Sequence, residues 1–181
     1  HGSSVFTFQD GAYHITNHDK QVSASALMPD ETLHGAFAYT LTMEQIAGDT
    51  SDPNNQFGMI LDASVQNSNG RQIDKFYAFE VLNISDGGQY QFWKYDNTDN
   101  NASPWTELWN KSLGNEFHQG TGSSHINTLK VIATGKAFTF VANGKQVDTW
   151  KDSSFTSGNI GMLVNLNDSE VAFSHLLLTY A

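Results

Sequence analysis

The sequence predicts an all-β protein, and three observations carry that prediction. First, Phe138, Phe140 and Ala142 alternate with Thr139 and Val141, the period-two pattern of a strand with one buried face. Second, Asn143-Gly144 follows directly and supplies the two positive φ angles of a type I′ hairpin turn. Residues 146–150 then resume the strand, while Thr134-Gly135-Lys136 turns back to residues 129–133, so a three-stranded meander is legible. Third, the chain holds 12 Phe against 4 Met, a balance that suits a pleated, half-buried surface better than helices.

The remaining elements follow in order. Residues 5–8 and 12–16 form a pair of short strands around Gln9-Asp10-Gly11. A strand at 22–27 ends at Pro29-Asp30. At 36–43, Phe37, Tyr39, Leu41 and Met43 share the face expected to be buried. Residues 57–65 are apolar throughout their first half, as a strand buried on both faces would be. A turn at 67–70 leads to strands 76–81 and 90–95, joined across Ser85-Asp86-Gly87-Gly88. A short strand at 105–109, then 160–164 and 171–179 linked by 165–170, complete about a dozen strands. Single helical turns are expected only at 45–47 and 114–119. Polar loops of this length on many strands fit a two-sheet antiparallel jelly roll better than a small barrel, in one domain over residues 1–181.

Composition excludes several functions. A formal net charge of −10 with nine scattered basic residues argues against nucleic acid, which needs clustered Lys and Arg. The absence of cysteine removes disulfides, thiolate catalysis and Cys-based zinc sites. No apolar run reaches the ~20 residues of a membrane-spanning helix. The opening His1-Gly2-Ser3-Ser4 lacks Met and reads as a tag or processing remnant, with any signal peptide or anchor beyond it. His1 could suggest a copper brace, but Gly2-Ser3-Ser4 beside it favours the remnant. The seven histidines show no metal-binding spacing.

The order of Phe57-Gly58-Met59-Ile60-Leu61, Phe76-Tyr77-Ala78-Phe79-Glu80-Val81, Gly88-Gln89-Tyr90-Gln91-Phe92-Trp93-Lys94-Tyr95, Asn127-Thr128-Leu129-Lys130-Val131, Val141-Ala142-Asn143-Gly144, Gly158-Asn159-Ile160-Gly161-Met162 and Val171-Ala172-Phe173-Ser174-His175-Leu176 carries a resemblance. It resembles the concanavalin A-like lectin/glucanase jelly rolls, near bacterial laminin-G-like and 3-keto-disaccharide hydrolase-like domains. The resemblance implies a two-sheet sandwich, an extracellular or cell-surface setting, and often one structural calcium. It implies no single activity, because that fold carries lectins, hydrolases, lyases and adhesion modules.

Glycosidases need two carboxylates facing one bond. The glucanases of this fold carry theirs on one strand in a Glu-x-Asp-x-Glu type of spacing, whereas Glu80 has Ala78 and Leu82 as its same-face neighbours. The Arg, Gln-x-His and Tyr set of jelly-roll lyases is also missing, since Arg71 is the only arginine. Sugar binding asks for less: a flat aromatic and a few planar polar groups. Tyr77, Trp93, Tyr95, Trp105 and Trp109 are the aromatic candidates, with Glu80, Lys94 and Asn165 as polar companions. If strands 76–81 and 90–95 pair tightly, Ala78, Glu80, Phe92 and Lys94 are expected on an open groove, with Tyr77, Phe79, Val81, Trp93 and Tyr95 in the core. Trp105 and Trp109 follow a polar loop and are expected to be exposed, and Trp150 to be structural. The candidate binding set is therefore Glu80, Phe92, Lys94, Trp105, Trp109 and Asn165.

Two loops rich in hard oxygen donors, with Asp49 and Asp52 in one and Asp96 and Asp99 in the other, are candidate Ca²⁺ sites, though neither has EF-hand spacing. Asx-rich loops also form ordinary turns without any ion. The expected function is a non-catalytic carbohydrate-binding or adhesion module without an organic cofactor, whose partner is a glycan. A glycoside hydrolase or lyase on the same surface, and a protein-interaction or sensory ectodomain, are the competing readings.

Overall fold

The computed structural model describes residues 3–68, 70–165 and 168–180, and the side chains of residues 29–31 are also outside that description. The expected remnant at His1-Gly2, one residue of the 67–70 turn and two of the 165–170 connection lie outside the described residues.

Thirteen strands form two antiparallel sheets among the described residues. The seven-stranded sheet runs in the order β1 (Ser4–Gln9), β2 (Ala12–Asn17), β13 (Ser169–Tyr180), β4 (Phe37–Ala47), β9 (Asn127–Thr134), β10 (Ala137–Ala142) and β11 (Lys145–Lys151). The six-stranded sheet runs β3 (Ala24–Leu33), β12 (Gly158–Val164), β5 (Gln56–Ser68), β6 (Arg71–Leu82), β7 (Gln89–Asp96) and β8 (Trp105–Ser112). The two-sheet sandwich read from the sequence is the observed architecture.

The inner faces meet in one aromatic-rich core. On β4, Phe37, Tyr39, Leu41 and Met43 are all buried, as their alternation predicts. Phe140 of β10 lies 4.7 Å from Phe92 and 4.8 Å from Phe79, ring centre to ring centre, which locks the two sheets together. Each such ring contributes roughly 1.5–3 kcal/mol by burial. On β5, Phe57, Met59 and Leu61 enter this core while Ile60 and Ala63 join a smaller cluster on the opposite face. That two-sided burial explains the continuous apolar run.

Asn143 and Gly144 have φ of 47° and 83°, the left-handed pair that the hairpin turn needs. Three expectations are corrected. Residues 45–47 are the end of β4 and residues 114–119 contain no helix; the single 3-10 turn among the described residues is Ser123–His125. The strand expected to stop at Pro29 continues to Leu33, because β3 is an edge strand and the missing N–H of proline need not face a partner there. The third concerns the faces of β7 and β8 and bears on the site.

Candidate functional site

The outer face of the six-stranded sheet carries the candidate site. Residues directly opposite in an antiparallel pair share a face. In the β6–β7 pair Phe76 lies opposite Tyr95, Ala78 opposite Trp93, and Glu80 opposite Gln91. Trp93 and Tyr95 therefore stand outward with Glu80, while Phe92 lies opposite Phe79 and is fully buried in the core. This corrects the expected face of Phe92, and of Trp93 and Tyr95. A register one residue away from the expected one turns every side chain of a strand to the other face. Lys94 moves with Phe92: it lies opposite Tyr77, and its Nζ donates to Ser154 Oγ at 3.4 Å, away from the groove.

Trp105 and Trp109 are four residues apart and would share a face on a regular strand. The β7–β8 register shifts between Phe92 and Trp93, so Trp105 lies opposite Tyr95 on the outer face and Trp109 opposite Phe92 on the inner one. Trp109 is buried, its ring 4.9 Å from Phe140. Its expected exposure is corrected by that bulge.

Three adjoining depressions of about 320, 270 and 240 Å³ make one groove across the outer face. Trp105 borders the first two, and Ser25, Asp74 and Phe76 border the first and third. The middle one is lined by Gln56, Glu80, Trp93, Trp105 and Asn165. Its aromatic wall is rigid. Phe76 stacks on Tyr95 at 4.8 Å, and Trp105 stands edge-on to Tyr95 at 4.8 Å and to Trp93 at 6.1 Å. Ile60, Ala63, Ala78 and Leu163 form an apolar floor beneath it.

A chain of amides forms the polar border. Ser23 Oγ donates to Asn165 Oδ1 at 2.7 Å, and Asn165 Nδ2 donates to Gln56 Oε1. Gln56 Nε2 then donates to Gln91 Oε1 at 2.8 Å, which also accepts from Trp93 Nε1 at 3.4 Å. Each link fixes the orientation of the next side chain. Gln56 and Gln91 were not singled out from the sequence. The alternation Gln89-Tyr90-Gln91-Phe92 contains the needed signal, since two aromatics facing the core place both glutamines outside.

Glu80 lies at the centre of this border. It is 2% exposed, and its Oε1 has no hydrogen-bond partner among the described residues. Burial without compensation raises the carboxyl from its ordinary value of 4.5 to about 8, so it holds its proton at neutral pH. A second buried acid, Asp62, sits at the bulge of β5 with φ of 51° and an Oδ1 that is unpartnered among the described residues. Burial raises its carboxyl to about 6. It does not line the groove.

The four aspartates of the loops each close a local turn. Ser51 N donates to Asp49 Oδ1 and Asn54 N to Asp52 Oδ1, both at 2.8 Å. Thr98 N donates to Asp96 Oδ1 at 2.9 Å and Asn101 N to Asp99 Oδ1 at 2.8 Å. Asp96 also pairs with Lys75 at 3.4 Å. Among the described residues no three His, Asp or Glu side chains converge as a metal cluster.

No family model matches the chain, and no curated protein matches it in sequence. Solved structures do match in fold. A Bacillus subtilis protein of unknown function with a galectin-like fold superposes with a TM-score of 0.69 at 12% identity, covering 99% of this chain and 87% of that one. The legume lectin-like domain from Entamoeba histolytica gives 0.66 at 12% identity, covering 100% and 89%. The carbohydrate binding module CBM66 from Bacillus subtilis gives 0.58 at 15% identity, covering 98% and 91%. This chain shares the jelly-roll fold of these lectin-like domains.

Proposed function

We propose that this protein binds a carbohydrate, without covalent chemistry, in the groove on the outer face of its six-stranded sheet. The observation that carries this reading is the placement of the Glu80 carboxyl beside Trp93 and Trp105, inside a border of mutually oriented amides. A pyranose presents an apolar face and a ring of hydroxyls, and these two kinds of surface complement it. Among the fold neighbours, the carbohydrate binding module CBM66 supports the reading by its own named role.

The geometry favours binding over hydrolysis. The acids lining the groove are Glu80 and Asp74, six residues apart on the same face of β6. That spacing is roughly 20 Å along a strand, whereas glycosidase carboxylates stand ~5–9.5 Å apart. An extracellular setting belongs to the same proposal, as a binding or adhesion module of a bacterial protein.

A glycan array followed by titration calorimetry, each with and without Ca²⁺, tests the reading. We expect at least one glycan to bind, and to lose at least tenfold in affinity on Trp105→Ala. Absence of binding across the array under both conditions would overturn it.

A further inference from the structure

We propose that the groove selects a glycan bearing a free amino group, whose ammonium sits against the Glu80 carboxyl between Trp93 and Trp105. This rests on the carbohydrate reading and narrows its ligand class.

Four observations carry it. First, Glu80 is almost completely buried, yet its Oε1 is unpartnered among the described residues. The neighbouring amides are already committed to one another: the Asn165 and Gln56 donors go to Gln56 and Gln91. Glu80 is thus a buried acid in the middle depression with hydrogen-bonding capacity to spare. Second, the indoles of Trp93 and Trp105 border it, and an indole face attracts a cation. Third, among the described residues no Lys, Arg or His lines any of the three depressions, whereas Glu80 and Asp74 do. Glu107 also lies on this face, opposite Trp93. An anionic sugar would meet the two lining acids with no basic side chain beside them among the described residues. Fourth, the whole chain carries −10, so its field favours the approach of a cation.

The carboxyl is protonated in the free protein because burial disfavours its charge. An ammonium beside it reverses that balance. On binding, the O–H proton of Glu80 leaves to buffer, the carboxylate forms, and the ligand nitrogen keeps its positive charge. One proton is released per site. A neutral sugar hydroxyl provides no such counter-charge and leaves the Glu80 proton in place.

The test uses tetramers of β-1,4-linked glucosamine, N-acetylglucosamine and glucose, titrated at pH 6 in buffers of different ionisation enthalpy. We expect the glucosamine tetramer to bind at least tenfold tighter than the other two. Its heat should depend on the buffer as for release of about one proton per site, the counterpart of a pKa that falls on binding. Glu80→Gln should lower glucosamine affinity at least tenfold and abolish the proton release, with a cooperative thermal melt showing that the variant folds. Equal binding of the three tetramers, or a preference and proton release that survive Glu80→Gln, overturns the amino-sugar assignment. So does failure of all three tetramers when the array yields another neutral glycan, and in these cases the carbohydrate reading stands. An empty array overturns both.

Discussion

Gly58 lies directly opposite Glu80 in the β5–β6 pair, and a Cβ on the glycine would come within 2.7 Å of the Glu80 Cα and 2.1 Å of the Phe79 carbonyl oxygen. Both contacts are with backbone, so no side-chain rotation relieves them. The glycine lets β5 and β6 close up under the groove and sets the depth of the Glu80 carboxyl. Gly58→Ala should destabilise by about 1–3 kcal/mol, the range for overpacked interiors, lowering Tm by roughly 2–12 °C at this size. An unchanged melting temperature would show that the strands have room to part.

Glu80 sets a sign for the pH dependence of stability. Its carboxyl, ordinarily at 4.5, stands at about 8 in the folded chain, and Asp62 rises from 3.8 to about 6. Between those values the unfolded chain gives up protons that the folded chain keeps, so stability is complete below the lower value and falls as pH rises. Asp74 and Glu107, on the same face, add negative charge and do not oppose this direction. Thermal melts should drop from pH 5 to pH 8. Glu80→Gln should flatten that slope and raise Tm at pH 8 by ~5 °C or more. A wild-type Tm that climbs over the same interval would contradict the burial argument.

Trp105 and Trp109 should separate binding from folding. Trp109→Ala removes a ring packed on Phe140 and Phe79 and should destabilise by about 3–5 kcal/mol. Trp105→Ala leaves the main core intact and should lower glycan affinity at least tenfold, while destabilising the fold less than Trp109→Ala does. Denaturant unfolding of both variants, compared with calorimetric affinity, checks the division. Equal destabilisation by the two substitutions would refute it.

Asn143 does more than form a turn. Its Oδ1 accepts from Thr128 N at 2.7 Å, and its Nδ2 donates to Glu116 O at 2.6 Å and Asn127 Oδ1 at 2.8 Å. Asn143→Gly keeps the left-handed φ and loses these bonds; Asn143→Ala loses both. Urea unfolding should rank them wild type, then Gly, then Ala, with the first step about 1–3 kcal/mol. A Gly variant as stable as wild type would mean that the side-chain bonds contribute nothing.

Much of the site was half legible. Glu80, Trp105 and Asn165 lie together on the middle depression, while Phe92, Trp109 and Lys94 are directed elsewhere. On β6 the pattern left no ambiguity, because Tyr77, Phe79 and Val81 are the bulky apolar alternation and Ala78 and Glu80 are not. On β7 both alternations hold aromatics, so hydrophobicity at 92–95 does not choose a face. No local pattern marks Gln56, and for Gln91 the alternation over residues 89–92 marks only its outward face. Their role arises only when β5 and β7 place one amide within 2.8 Å of the other.

The sequence by itself determined the class, the strands and the tight turns, because these rest on local chemistry: period-two alternation, and residues such as Asn143 and Gly144 that tolerate positive φ. The tertiary structure decided which aromatics face the groove. That choice depends on the register of β7 against β6 and on the bulge between β7 and β8. Register is a relation between strands, and a slip of one residue exchanges core for surface along a whole strand.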